Sequence, residues 1–171
     1  MMPARSTRRS ELDNFDRAIL RIVQRDAKKP QRLIAEAVGL SAAAVQRRIA
    51  AMEDAGIIDR NVAIVDPAAV RMAITAIVEV HLTDEKLPTV DRAKALFRAA
   101  PEVQQCYYVT GGISLVLVIV VPDMAAYEAS TRRLFAQNES VKSFRSLIAL
   151  DRVKAGMEIE IPATTSPAPR R

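Results

Sequence analysis

Residues 31–55 read QRLIAEAVGLSAAAVQRRIAAMEDA, and this stretch decides the fold of the N-terminal part of the chain. Two helical patterns meet at Gly39, and Ser41 opens the second. Ala35, Gly39 and Val45 stand in the order that a helix-turn-helix requires. A small residue lets the second helix approach, a glycine supplies the positive φ of the turn, and a β-branched residue locks the second helix back. The second helix presents a slim, uncharged front of Ser41, Ala42, Ala43, Ala44 and Gln46, followed by Arg47 and Arg48, with Glu53 and Asp54 only at its far end. A helix of this kind can enter the major groove of DNA and hold phosphates there. The alternative is an ordinary αα-hairpin whose arginines face water. Gln46 and Arg47 are the candidates for contact with base edges, and Arg48 for phosphate or a nearby carboxylate. Lys28, Lys29 and Arg32, at the start of the preceding helix, suit contact with the DNA backbone.

Outward from this core, Asp13 reads as a helix cap, with Asp16 three residues on supporting the first turn. Phe15, Ile19, Leu20 and Val23 follow at helical spacing, so a first helix is predicted to about residue 26. Helices over 31–38 and from Ser41 to Gly56 complete the unit, with Val45, Ile49 and Met52 as the inward stripe of the last. Residues 57–66, IIDRNVAIVD, read as a strand, and Asp66-Pro67 closes it. Three helices and a strand make a winged type of DNA-binding domain.

The period then changes. Residues 73–82 are β-rich, and 87–100 form an amphipathic helix with Val90, Ala93, Leu96 and Phe97 on its apolar face, stopped by Pro101. Residues 103–110 read as a strand, Gly111-Gly112 as a tight turn, and 113–121 as a strand buried on both faces. Asp123 caps a helix to about residue 138, and 141–153 supply the last strand. The order β-α-β-β-α-β is the ferredoxin-like pattern. The α+β plan is therefore a basic tail over 1–10 without structure, a helix-turn-helix domain over 11–56, a hinge strand and linker over 57–71, a ferredoxin-like domain over 72–155, and a tail over 156–171, Pro-rich from 162.

The 171 residues are 50% hydrophobic but only 4% aromatic, with no Trp, so the interior must be built from Ala, Val, Ile and Leu. A single Cys, Cys106, excludes an intrachain disulfide and a Cys-based zinc motif, which fits a reducing cytoplasm. No metal site, catalytic set or cofactor is called for: the lone His81 reads as a half-exposed strand residue and Cys106 as a small buried hydrophobe. The longest apolar run, 113–121, falls well short of the roughly 20 residues of a membrane span. The basic N-terminus, with Arg5, Arg8 and Arg9, leads into Glu11 and Asp13 rather than an apolar segment, so it does not read as a secretory signal. Net charge is +5, mild support for a polyanionic partner. There are 12 basic and 9 acidic residues up to Asp66 and 13 and 11 after it, so bulk charge does not locate the site.

Taken together, LDNFDRAIL (12–20), AEAVGLSAAAVQRRI (35–49), Gly56-Ile57-Ile58, VDP (65–67), PEVQQCYYVTGG (101–112) and the closing Val153-Lys154 make the chain resemble the Lrp/AsnC ("feast/famine") family of bacterial and archaeal transcription regulators. The resemblance covers about residues 12–154. It implies a winged helix-turn-helix joined by a hinge strand to a ferredoxin-like domain of the RAM type. It also implies homodimers that associate further, from tetramers to octameric rings, double-stranded DNA as partner, and a cytoplasmic protein on the nucleoid. Small effectors, commonly amino acids, bind in this family near the turn between the second and third strands. That points to Tyr108, Thr110, Gly111, Gly112, Ile113 and Ser114, with Ser143 and Ser146 of the last strand bordering the same cleft. Tyr107 and Tyr108 alternate faces, which puts one in the core and the other at a dimer or effector cleft. Two departures stand out. Ser114 and Leu115 occupy positions where members carry Asp and an aromatic, and a hydroxyl cannot match a carboxylate in holding an ammonium group. The ligand is then a different one, or none. Arg71 and Met72 stand where members have a glycine, which points to a different hinge conformation. Siroheme decarboxylases look like this family in both domains, and a nonspecific nucleoid-compacting protein has the same build. These are the two alternatives to a sequence-specific regulator.

Overall fold

The computed structural model describes residues 12–163; the expected basic tail over 1–10 and the end of the Pro-rich tail lie outside the described residues. The described chain forms two compact units. One comprises residues 12–63 together with 155–163, the other Ile64–Lys154.

In the helical unit, α1 (Asn14–Val23), α2 (Gln31–Val38) and α3 (Ala42–Asp54) pack around Ile19, Leu20, Ile34, Ala35, Val45 and Met52. Asp13 begins α1 as expected: its carboxylate accepts from the Asp16 N–H at 2.8 Å, and the Asp16 carboxylate accepts from the Asp13 N–H at 3.1 Å. This reciprocal cap satisfies two otherwise orphaned backbone donors. Gly39 ends α2 at φ 72°, ψ 34°, with its N–H donating to Ala35 O. A Cβ at Gly39 would meet nothing within 4 Å, so the glycine is required by its left-handed conformation and not by crowding. Ser41 caps α3, its hydroxyl accepting from the Ala44 N–H at 3.2 Å.

Two expectations about this unit are corrected. Residues 57–66 form no strand: Ile57 and Ile58 pack on the helical core, while Val62, Ile64 and Val65 are exposed. β-Branched residues confer strand propensity, but a ladder needs a neighbouring strand, and this segment has none among the described residues. The expected tail over 156–171 belongs, as far as residue 163, to the helical unit. Gln24 holds Ile159 reciprocally, its Nε2 donating to the Ile159 carbonyl at 3.0 Å and its Oε1 accepting from the Ile159 N–H at 3.2 Å. Arg21 donates to the Ile161 carbonyl at 3.1 Å, Arg25 pairs with Glu158, and the Ile161 side chain joins the core.

The sheet unit runs β1 (Ile74–Leu82), α4 (Leu87–Ala99), β2 (Val103–Tyr108), β3 (Leu115–Val121), α5 (Met124–Thr131) and β4 (Val141–Ile148). All neighbouring strands are antiparallel and their order is β2-β3-β1-β4, the expected ferredoxin-like sheet. Ala76, Val78, Val80, Leu115, Leu117 and Ile119 face Val90, Ala93, Phe97 and Leu134 in one core. Strand β3 departs from the expected two-sided burial, since Val116 and Val118 on its other face are only half-buried. That open face carries Ile77, Val118 and Leu147 in register, flanked by Tyr107. Across it, Arg145 grips Glu79 with two bonds, Nε to Oε2 at 2.7 Å and Nη2 to Oε1 at 2.9 Å. Helix α5 is shorter than expected and passes into a single π turn, Arg132–Ala136, while β4 stops at Ile148 rather than 153. Residues 110–113 form a four-residue loop, closed by the Val109 N–H to Ser114 O bond, rather than a two-residue turn. Arg71 keeps a left-handed conformation, φ 60° and ψ 30°, after the short helix Ala68–Val70. It holds a shape that a glycine adopts without strain.

Candidate functional site

Helix α3 carries two arginines with opposite fates. Successive residues on a helix point about 100° apart, so Arg47 and Arg48 cannot share a face. Arg47 is exposed and, like exposed Gln46, makes no hydrogen bond or ion pair among the described residues. Ala42 and Ala43 beside them are exposed, Ala44 is half-buried, and the Ser41 hydroxyl is spent on the cap. The front of α3 therefore pairs small residues with two long polar side chains free to reach outward.

Arg48 lies on the other side. Its guanidinium donates to Asp13 and Asp16 at 2.8 Å each and lies 5.5 Å from the Phe15 ring centroid. Through Nη1 it clamps α3 to the cap of α1, the carboxylate of the two expected partners. The Asp16 N–H first, and Arg48 as well, hold the Asp13 carboxyl below the usual carboxylate range. Arg32 is exposed and paired with Glu36 at 2.5 Å one turn on, a pair that water and a phosphate can both replace. Lys28 is exposed and Lys29 half-buried in the loop before α2, and neither ammonium is paired among the described residues.

The second cluster is built at the loop after β2. Gly111 and Gly112 take φ of 105° and 91°, and the N–H groups of Gly111, Gly112 and Ile113 bond to nothing among the described residues. Thr110 is exposed beside them, while Ser114 is buried. The Ser114 hydroxyl accepts from the Leu82 N–H at 3.0 Å and donates to Glu85 Oε1 at 2.5 Å. The Tyr108 hydroxyl donates to Glu85 Oε2 at 2.8 Å, and the Lys94 ammonium sits 4.1 Å from the Tyr108 ring centroid. Ser114 first, then Tyr108, hold the Glu85 carboxyl below its usual range.

Glu85 was not among the expected residues. The available signal was the pair of acids in LTDEK, 82–86, since a ferredoxin-like sheet sets the end of its first strand beside the turn between the second and third. Ser146 is not brought to this cluster. It pairs in register with inward-facing Val78, accepts from the Tyr127 hydroxyl at 2.5 Å, and lies on the strand beyond β1. Ser143 pairs with His81 on that same distant strand. Tyr107 and Tyr108 point to opposite faces, but neither is core: they are 52% and 50% exposed. Cys106 is half-buried, and burial pushes its thiol up. Among the described residues no group of three or more His, Cys, Asp or Glu side chains could hold a metal ion, and no helix is long and apolar enough to cross a membrane.

Comparison with known proteins adds to this geometry. A model described as a winged helix-turn-helix DNA-binding domain matches residues 12–59, and one of the Lrp/AsnC ligand binding domain matches residues 75–159. An uncharacterised HTH-type transcriptional regulator of Sinorhizobium fredii is 40% identical over 151 residues, 88% of this chain and 89% of that protein. The crystal structure of an AsnC family transcriptional regulator from Agrobacterium tumefaciens superposes with a TM-score of 0.82 at 34% identity, covering 87% of this chain and 97% of that one. The feast or famine regulatory protein of M. tuberculosis, in complex with L-methionine, gives 0.79 at 31% identity, with coverage of 88% and 99%. These relatives favour a regulator over a decarboxylase-like enzyme or a nonspecific compacting protein. The chain belongs to the Lrp/AsnC family of DNA-binding transcriptional regulators.

Proposed function

We propose that this regulator acts as a homodimer, which associates further, and reads its operator with Gln46 and Arg47 of α3. The observation that carries the assignment is the division of labour on α3: Arg48 is consumed by α1, whereas Arg47 is free beside a row of small residues that lets a helix settle into a groove. Two copies of α3 would occupy successive major grooves, with Lys28, Lys29 and Arg32 on the DNA backbone. The open face of the sheet, with Ile77, Val118 and Leu147, supplies an apolar surface for the second copy, a use that its exposure in a single chain supports. A small-molecule effector, an amino acid, binds at the Gly111–Ser114 loop; that the mycobacterial relative forms a complex with L-methionine supports the ligand class, and the unbonded N–H groups of the loop support the place. The protein works on the nucleoid, in the cytoplasm. The test is an electrophoretic shift with an operator found by genomic footprinting. Arg47→Ala should weaken binding about 10- to 100-fold, the effect of losing one good base contact, while gel filtration shows the dimer unchanged. A shift unaffected by Arg47→Ala would remove this residue from the DNA interface.

A further inference from the structure

Ser114, where the resemblance to the family implies a carboxylate, offers only a hydroxyl, which on its own argues against an ammonium-bearing ligand. The structure restores the missing charge from a different loop. Antiparallel pairing sets the end of β1 against the start of β3, so the Leu82 N–H reaches the Ser114 hydroxyl and the loop that follows starts beside it. That loop carries Glu85, whose two oxygens are each fixed by one neutral hydroxyl, Ser114 on one side and Tyr108 on the other.

We propose that Glu85, presented by Ser114 and Tyr108, is the carboxylate that recognises the ammonium group of a free α-amino acid. This rests on the effector reading given above and names the residue that selects the ligand.

Three observations support it. First, each Glu85 oxygen accepts one hydrogen bond among the described residues and has a second lone pair to offer, and the side chain is exposed. Second, no lysine or arginine pairs with Glu85 among the described residues, whereas neighbouring Asp84 takes the Lys86 N–H and lies 4.0 Å from the Lys86 ammonium. Two hydroxyls hold the carboxylate in place without neutralising it, which leaves a positioned negative charge in want of a cation. Third, the unbonded N–H groups of Gly111, Gly112 and Ile113 lie next along the chain from Ser114 and suit an anion. Acceptor and donors together match the two ends of a zwitterion.

The experiment is calorimetric titration of the full-length protein with each of the twenty amino acids, and with the N-acetyl derivative of the tightest binder. The wild type should bind at least one amino acid. Glu85→Gln should weaken that binding at least tenfold with an unchanged melting temperature in the absence of ligand, and the N-acetyl derivative should not bind. Tyr108→Phe, which frees one Glu85 oxygen, should weaken binding severalfold and serves if Glu85→Gln fails to fold. Undiminished binding by Glu85→Gln, or equal binding of the N-acetyl derivative, would overturn the role of Glu85 and leave the effector reading standing. If the wild type binds no amino acid, the effector reading falls and this inference with it.

Discussion

The sheet unit and the helical unit reach stability by different routes. The sheet unit buries Phe97 and Phe135 between two helices and a continuous sheet, and ring contacts run from Phe97 through Phe135 to Phe144. The helical unit buries no aromatic residue, and its one phenylalanine, Phe15, is 43% exposed. A set of short helices with a small core buries too little surface to be secure alone. It is supplemented at its margins by the Asp13–Asp16 cap, the Arg48 clamp and the returning segment around Ile161. Apolar packing responds little to salt and pH, whereas the ion pair of the Arg48 clamp responds to both.

The strongest way to break this contrast is to end the chain at Lys154. The helical unit then loses the Ile161 packing and the bonds from Arg21 and Gln24, at a cost of about 2–3 kcal/mol. Calorimetry should show the helical transition fall by several degrees while the sheet transition holds. A helical transition that does not move would make the segment a passenger.

Next comes Arg48→Ala, expected to cost the helical unit about 1–2 kcal/mol, since it removes one cation from two carboxylates that remain. The pH dependence follows from the lowered Asp13 carboxyl. A native value below the unfolded one gives stability that is complete above the unfolded value near pH 4 and disappears as pH falls through the native value. The gap between wild type and Arg48→Ala in urea unfolding should therefore narrow below about pH 4. A gap that stays constant to pH 2 would show that the guanidinium acts by packing alone.

The smallest effect sharpens the contrast from the other side. Arg71→Gly relieves a left-handed residue in the sheet unit and should raise its stability by about 0.5–1 kcal/mol, without touching the helical unit. A loss of stability on urea unfolding would mean that the Arg71 side chain is worth more than the strain.

Sequence sufficed where the signal is local. Asp13 and Asp16, Gly39, Ser41 and Pro101 mark their helix boundaries through bonds made within a few residues, and α2 and the start of α3 lie where these predict. It fell short wherever a residue's role is set by something distant. Arg48 stands apart from Arg47 already in the sequence, but the carboxylates it meets belong to α1 and come into view only with the fold. Glu85 acquires its partners from the sheet order, and Ile159 and Ile161, set among Glu158, Glu160 and prolines, look like tail until Gln24 meets them. Residues 57–66 carry strand-forming side chains but have no strand to pair with among the described residues.

The forked bond between Arg145 and Glu79 has a consequence for molecular company. A flat aliphatic surface alone would adhere to almost any similar surface, including those of sibling regulators in the same cell. With an ion fork set across it, a newcomer must either leave that spot hydrated or bring complementary groups, because stripping water from two charges costs more than their attraction returns. On the dimer face proposed above, a second copy would bring the same fork, so one set of complementary groups would serve both copies.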